Sequence, residues 1–139
     1  MANLFFDHGL QHFAEGDLHW GPGGDTFRAV LVDTAVYVVD ITDDEFLSDV
    51  DAASRIATVT LSTLEPTAGV LDAADATFLA VAGTTSCEAI VIYKWTGSDA
   101  TSPLVLYIDT ASAGLPVTPA GSADIAVTWD SGAEKIAKL

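Results

Sequence analysis

Residues 88–109 have the sequence EAIVIYKWTGSDATSPLVLYID, in which two runs of β-branched and aromatic residues flank a short polar loop. This pattern predicts a β-hairpin. A strand with one solvated face alternates apolar and polar side chains, because successive side chains point to opposite faces. Here residues 89–93 and 104–108 are apolar at every position. The two strands are therefore expected to be central, with one face under an opposing sheet and the other under the N-terminal helix or another copy of the chain.

Shorter predicted strands surround this hairpin and are separated by turns rich in glycine and proline. Period-two patterns or short apolar runs place them within residues 26–33, 35–40, 57–63, 69–83, 123–130 and 134–139. No β–α alternation repeats along the chain, so a parallel sheet is not expected. The pattern indicates a mainly β fold, either an antiparallel β-sandwich or a barrel-like domain.

A short helix is predicted ahead of the first of these strands. Phe6, Leu10 and Phe13 fall at positions i, i+4 and i+7, which is a helical stripe. Gly16 supplies a stop for this helix. Gly9 lies inside it and lowers its intrinsic stability by about 1 kcal/mol relative to alanine. The N-terminal segment is therefore expected to be helical in spite of one unfavourable residue.

A second short helix is predicted in the acidic segment DITDDEFLSDVD, residues 40–51. Thr42 precedes Glu45 by three residues, the spacing of a capping box, which predicts a short acidic helix over residues 42–50. An EF-hand calcium loop would need glycine at its sixth position and glutamate at its twelfth. The segment has Glu45 and Asp51 there. Its carboxylates are interpreted as helix caps, and a calcium ion held by a mixed loop remains the alternative.

The length of the chain limits the number of domains, and its net charge limits the possible partners. The 139 residues predict one domain, residues 1–139, with a helical segment at 1–16 and a β-sandwich at 26–139. Twenty Asp and Glu residues against five Lys and Arg residues give a formal net charge of −15. Such a surface repels phosphates and anionic lipids, so neither nucleic acid nor membrane is an expected partner. Without a basic leader or a membrane-length apolar run, synthesis in a cytoplasm is expected.

Few residues of the chain suggest catalysis. No nucleophile elbow, phosphate-binding glycine loop or dinucleotide fingerprint is present in the sequence. Cys87 is the only cysteine, so it cannot form an internal disulfide. It is expected to be buried as a small hydrophobic side chain, with the charge of Glu88 opposing thiolate formation. The sequence therefore predicts no enzymatic activity and no cofactor.

The three histidines all lie within the first nineteen residues. His8 and His12 are four residues apart, a spacing that allows two imidazoles on one helix to share a metal ion. The residue after His8 is not the glutamate of the metalloprotease pattern. A third ligand would have to come from Asp7, Glu15 or His19 through the fold. His8 and His12 are interpreted as lying on the solvated side of the helix, and no metal site is predicted.

The three tryptophans have different expected roles. Trp129 belongs to the inward face of the strand at residues 123–130, on which Ala123 is also placed. Trp20 and Trp95 border loops, where an aromatic residue covers the core, anchors a protein interface or stacks on a sugar. These three alternatives remain open for Trp20 and Trp95.

Much of the chain resembles one family. The segments FRAVLVDTAVY, DDEFLSDV, RIATVTL, AADATFLAVAG, EAIVIYKWTGSDATSPLVLYIDT, GLPVTPAG and DIAVTWDSGAEKIAKL, in this order, resemble small virion structural proteins of tailed bacteriophages. The preceding LQHFAEGDLHW is similar to the usual opening of that family, a short helix and then a tryptophan before the first strand. The most specific parts are the hairpin and the terminal strand. These are packing and turn residues, so the resemblance concerns the fold more than any chemistry.

The resemblance implies a β-rich structural protein without catalytic residues. The leading hypothesis is a capsid decoration or cement protein in the virion, which contacts other copies of itself and the major capsid protein on the outer head surface. One alternative is a tail tube, terminator or baseplate component that contacts tail proteins. Another is a carbohydrate-binding module for host attachment. The residues expected at an assembly interface are Phe5, Phe6, Leu10, Phe13, Trp20 and Trp95, although the N-terminal ones would equally serve as a cap on the core.

Overall fold

A computed structural model describes residues 3–109, 115–129, 131–132 and 135–139. The described chain is mainly β, as predicted, with one α-helix, α1 (Asp7–Glu15), and short 3₁₀ turns at Leu47–Asp49, Ala52–Ser54 and Asp99–Thr101. Its strands are β1 (Leu4–Phe5), β2 (Phe27–Val32), β3 (Arg55–Thr60), β4 (Glu65–Thr67), β5 (Val70–Asp72), β6 (Ala76–Phe78), β7 (Ala89–Lys94), β8 (Leu104–Ile108), β9 (Ile125–Val127) and β10 (Ala137–Lys138).

The strands form three antiparallel sheets. A five-stranded sheet has the order β1-β8-β7-β2-β3, a three-stranded sheet has the order β10-β5-β4, and β6 pairs with β9. The predicted hairpin is confirmed: β7 pairs with β8 from Ile90↔Ile108 to Tyr93↔Leu104, and with β2 on its other side. The large sheet has two different edge strands, so it is not closed into a barrel. The arrangement is sandwich-like.

One face of the large sheet packs against the two smaller sheets. Phe27 and Leu31 of β2 and Ile92 of β7 share a buried cluster with Leu71 of β5 and Phe78 of β6. Side chains of β9 and the terminal segment also belong to this cluster, namely Ile125, Val127, Trp129 and Ile136. The inward direction predicted for Trp129 is confirmed. Ala123 was also expected to point inward, but it is exposed because β9 begins only at Ile125.

The opposite face of the large sheet is covered by the same chain. The largely irregular segment 33–54, which we call the covering segment, lies on this face. Its residues Tyr37, Leu47 and Val50 form a second buried cluster with side chains of β2, β7 and β8. Among the N-terminal residues that the structure describes, from residue 3 onward, Phe6 alone, immediately before α1, belongs to this cluster. Of the predicted N-terminal helical segment, only Phe6 therefore helps to cover this face, and most of the cover comes from the largely irregular segment 33–54 instead of from the helix or another copy.

The segment 33–54 differs from its prediction. Residues 35–40 end a turn and continue as irregular chain instead of a strand, and the predicted helix over 42–50 is reduced to the 3₁₀ turn Leu47–Asp49. The Asp40 carboxylate accepts hydrogen bonds from the backbone N–H groups of Thr42 and Asp43, both at 3.0 Å. Short acidic side chains compete in this way with regular backbone pairing. The acceptor that organises this turn is therefore Asp40 and not the Thr42 of the predicted capping box.

Arg55 holds this segment in place. Its guanidinium donates to the carbonyl oxygens of Leu47 at 2.7 Å and Val50 at 2.6 Å, and forms an ion pair of 2.7 Å with Asp99. The carbonyls belong to the covering segment, and Asp99 belongs to the loop of the β7–β8 hairpin. The Arg55 side chain thus links the covering segment to the loop of the β7–β8 hairpin.

Helix α1 packs against the edge region of the large sheet, where it approaches β8. Gly16 follows the helix in the left-handed conformation, with φ of 81°, so the predicted stop is confirmed. A Cβ atom added at Gly9 would lie 2.7 Å from the carbonyl oxygen of Leu104 and 3.0 Å from that of Val105. Gly9 therefore permits close packing of the helix backbone on β8, which compensates for its poor helix propensity.

The first prediction concerns this close approach. Gly9→Ala is expected to lower the free energy of unfolding by about 1–3 kcal/mol, because the methyl group meets backbone atoms that cannot rotate away. Helix propensity alone would instead raise it by about 1 kcal/mol. Urea unfolding followed by tryptophan fluorescence measures the difference, and Ala14→Gly on the exposed side of α1 is the control for propensity. A Gly9→Ala variant more stable than the parent would contradict the packing argument.

The second prediction concerns Arg55. Arg55→Lys keeps the charge but loses the planar set of donors, and is expected to lower the free energy of unfolding by about 2 kcal/mol. Asp99→Asn removes only a half-exposed ion pair, and its expected cost is below about 1 kcal/mol. Both are measured by urea unfolding. Equal costs for the two variants would show that the carbonyl contacts contribute little.

Candidate functional site

The six residues predicted for an assembly interface do not share one surface. Phe6 and Trp20 are buried in separate core clusters. Trp20 also donates from Nε1 to the carbonyl oxygen of Asp72 at 3.0 Å, and its ring lies 4.7 Å from that of Phe27. The interface assignment of Phe6 and Trp20 is corrected on this basis, since neither side chain reaches the surface of the folded chain. For Phe6, the alternative role as a cap on the core is the one observed.

Three of the other residues belong to β1 and α1, at the β1 edge of the large sheet. We call Phe5, Leu10 and Phe13 the N-terminal patch. Phe5 and Phe13 are half-buried and pack edge-to-face, with ring centroids 6.3 Å apart. Leu10 lies one helical turn before Phe13, and 42% of its surface is exposed. The patch is therefore an apolar surface that remains accessible beside the edge strand β1.

Trp95 lies away from this patch and is half-buried. The Arg28 guanidinium carbon is 4.5 Å from the centroid of its ring, a cation–π contact, and Tyr93 packs against it edge-to-face at 6.4 Å. One face of the Trp95 ring is thus occupied by a cation, and Trp20 is buried elsewhere. A sugar-stacking platform that combines these two tryptophans is not formed.

The histidines of α1 meet a carboxylate from the covering segment. His12 Nε2 lies 3.2 Å from Glu45 Oε1, and His8 Nδ1 lies 3.8 Å from Glu45 Oε2. The His12 side chain is only 13% exposed and that of His8 33% exposed. The interpretation of both as residues of the solvated helix face was wrong for His12, because Glu45 and Phe46 of the covering segment pack over it.

The end of α1 brings an additional carboxylate to His12. The Gly16 N–H donates to the carbonyl oxygen of Phe13, and the Asp17 N–H donates to that of His12. This pair of bonds is the Schellman motif, which reverses the chain directly after a helix. As a result Asp17 Oδ2 lies 3.1 Å from His12 Nδ1. Polar ligand atoms of His12, Glu15 and Asp17 all lie within 4.8 Å of one another.

The carboxylates of residues 40–51 mainly bind backbone N–H groups. Asp49 accepts from the N–H groups of Glu45 and Phe46 at 2.9 and 3.0 Å. Asp44 accepts from the Asp40 N–H at 2.9 Å and from the Tyr37 hydroxyl at 2.6 Å. These oxygens stabilise turns, which is a role closer to the predicted capping function than to a calcium loop.

Two buried groups have strongly shifted acidities. Burial raises the pKa of the Cys87 thiol from 9.0 to about 11, with the charges of Glu88 and Asp33 adding to the effect. The prediction that Cys87 is a buried hydrophobic side chain is confirmed. Burial also raises the pKa of Tyr37 above its ordinary 10.0, and the hydrogen bond to Asp44 and the charge of that residue act in the same direction. Neither group is set up to act as a nucleophile near neutral pH.

The surface of the described residues contains open grooves. One of about 300 Å³ lies between residues 21–25 and 61–65. Another of about 220 Å³ is lined by Glu65, Thr67, Val70, Asp72 and Lys135. Neither groove is lined by a histidine or a cysteine, the side chains that most often serve as base or nucleophile. Their lining therefore points to no particular reaction.

The comparisons with known proteins do not assign a family. No protein-family model matches the chain, and no curated protein matches it. Among the described residues, no helix has both the length and the apolar character needed to cross a bilayer. The resemblance to virion proteins therefore stays a prediction that rests on the sequence segments quoted above.

The third prediction concerns Tyr37. The folded state holds the Tyr37 proton above pH 10 whereas the unfolded chain releases it, so this residue's contribution to stability is complete below about pH 10 and falls as the pH rises. Tyr37→Phe loses the hydrogen bond to Asp44 and is expected to cost about 1–2 kcal/mol at pH 7.

The difference in free energy of unfolding between the parent and Tyr37→Phe should narrow by up to about 1.4 kcal/mol per pH unit above pH 10. Urea unfolding at several pH values from 7 to 11 measures this difference. Val38→Ala, in the same segment but with an exposed side chain, is the control, and its free energy of unfolding should vary with pH as that of the parent does. The same pH dependence for Tyr37→Phe and the parent would contradict the expected titration of Tyr37.

Proposed function

We propose that this chain is a non-enzymatic structural protein of a tailed-bacteriophage virion, which decorates or cements the outer head surface as a homo-oligomer. The observation that carries the proposal is the N-terminal patch. An exposed apolar cluster at the edge of a folded domain is characteristic of surfaces that bind another protein. The expected partners are other copies of the chain and the major capsid protein.

The location of the residues that carry the family resemblance supports a structural role. The segments IVIYK and PLVLYI of the resemblance correspond to β7 and β8, whose side chains are almost all buried. The terminal segment of the resemblance contains β9 and Trp129, which complete the core on one face. The shared residues thus build a packed scaffold, as expected of a protein whose activity is binding and not turnover.

The charge of the chain supports the outer surface of the head. A formal net charge of −15 repels packaged DNA, which favours a location outside the shell. The same charge opposes uncontrolled association of free copies in the cytoplasm, while the apolar patch supplies attraction at a matching surface. Binding to a partner would then depend on the shape match between apolar surfaces and not on attraction between opposite charges.

The direct test is fractionation of the virions whose genome encodes this chain. Heads are separated from tails, and the copies of the chain in each fraction are counted by mass spectrometry. Hundreds of copies with the heads would support decoration. A few copies or a few dozen with the tails would assign the chain to the tail tube, terminator or baseplate, and absence from virions would refute a virion role altogether.

The fourth prediction tests the N-terminal patch itself. Leu10→Asp is expected to weaken self-association or binding to shells at least tenfold, because a charge then lies in the apolar contact. Leu79→Asp introduces the same charge at a side chain that is 74% exposed elsewhere, and should leave binding unchanged. Sedimentation velocity and co-sedimentation with shells measure the effect, with melting temperature as the check on folding. Equal effects of the two variants would exclude the patch as the interface.

A further inference from the structure

We propose that His12, Glu15 and Asp17, at the C-terminal end of α1, bind a divalent transition-metal ion of the Zn²⁺ class. The inference is independent of the virion role, since it rests only on the geometry of this cluster. In the sequence, His8 and His12 have the spacing of a metal-binding pair. The structure instead groups His12 with two carboxylates that lie after it in the chain.

The backbone fixes the relative position of His12 and Asp17. The Asp17 N–H donates to the His12 carbonyl oxygen at 2.9 Å, and the Asp17 carbonyl oxygen accepts from Lys94 Nζ at 2.7 Å. The backbone N–H and carbonyl groups of Asp17 are thus both hydrogen-bonded, while its side-chain carboxylate stays available for a metal ion. Because the chain changes direction at Gly16, the side chains of His12 and Asp17 already lie side by side as a pair of possible metal ligands.

The hydrogen-bonding capacity of His12 points to a cation. Its Nε2 faces Glu45 Oε1 at 3.2 Å and its Nδ1 faces Asp17 Oδ2 at 3.1 Å. A neutral imidazole carries one N–H and one lone pair, so it can donate to only one of these carboxylates. At the other nitrogen, two lone pairs face each other unless a cation lies between them. If Nε2–H donates to Glu45, both Nδ1 and Asp17 are free to bind one metal ion.

The distances agree with zinc coordination. Zinc binds histidine nitrogen and carboxylate oxygen at about 2.0–2.2 Å in tetrahedral geometry, which places two ligand atoms roughly 3.3 Å apart. The observed separation of His12 Nδ1 and Asp17 Oδ2 is 3.1 Å. Glu15 is exposed, accepts a hydrogen bond of 2.8 Å from Gln11 and can turn toward the ion. A water molecule would complete four ligands.

Glu45 has the role that a carboxylate commonly plays behind a metal-bound histidine. Such a carboxylate accepts the N–H of the imidazole and fixes its tautomer and orientation. Glu45 comes from the covering segment, so its contact with His12 spans 33 positions of the sequence. The helix macrodipole adds a partial negative charge at this C-terminal end of α1. Lys94, which donates to the Asp17 carbonyl oxygen, forms its ion pair with Asp25 at 3.2 Å and leaves the Asp17 carboxylate for the metal.

The ligand types distinguish the class of metal. An imidazole nitrogen suits zinc, copper, nickel and iron, whereas calcium and magnesium prefer a full set of oxygen ligands. A cluster of one imidazole and two carboxylates therefore favours Zn²⁺ over Ca²⁺. Selectivity between these two ions is a direct consequence of the proposal.

Equilibrium dialysis of the full chain against Zn²⁺, followed by metal analysis, tests the site. The expected result is one zinc ion per chain and, at saturation, a melting temperature raised by roughly 5 °C. Ca²⁺ at the same concentration should give no shift. Co²⁺ bound in place of Zn²⁺ should show the intense visible absorption of a four-coordinate ion. No bound zinc at neutral pH would overturn the proposal.

Matched variants locate the site. His12→Ala and Asp17→Asn should each lose the bound zinc, whereas His19→Ala, which removes an exposed histidine outside the cluster, should retain it. Glu45→Gln should keep one zinc ion with affinity reduced about tenfold, since it supports the ligand without binding the metal. Circular dichroism of the metal-free variants checks their fold. Several weakly bound zinc ions per chain that persist in His12→Ala would indicate adventitious binding to surface carboxylates and would also overturn the proposal.

Discussion

The five-stranded sheet is apolar on both faces, and the rest of the molecule is arranged to keep water from each of them. Full burial of a large aliphatic or aromatic side chain stabilises the fold by about 1.5–3 kcal/mol, so a two-sided sheet left open on one side would forfeit much of its stability. The two smaller sheets pack on one face. On the other, an irregular segment inserts Tyr37, Leu47 and Val50.

A cover without helix or strand needs other partners for its backbone, and here the acidic side chains provide many of them. Asp40, Asp44 and Asp49 accept hydrogen bonds from neighbouring N–H groups, and Arg55 donates to carbonyl oxygens of the same segment. Part of the large negative charge is therefore structural. The acidity of the sequence cannot be attributed only to solubility or to the choice of partner, because turn formation consumes several of the carboxylates.

The nine residues of helix α1 serve three purposes. Gly9 lets its backbone approach β8, Leu10 and Phe13 leave an apolar surface at the sheet edge, and His12 faces carboxylates on another side. A helix placed against the edge of a sheet also limits unwanted pairing with other chains. The proposed assembly surface and the proposed metal site thus lie on the same short element, with different residues responsible for each.

The sequence by itself determined the elements whose cause is local. The apolar runs of β7 and β8, the alternation in β3, the stop at Gly16 and the burial of Cys87 follow from side-chain type and from spacing along the chain. Only the tertiary structure could assign the contacts between distant residues. It assigned the cover of the second face to residues 33–54, buried Phe6 and Trp20, and brought Glu45 to His12. The physical reason is that periodicity records which side of an element is apolar, whereas the identity of the covering segment depends on how the whole chain closes around the sheet.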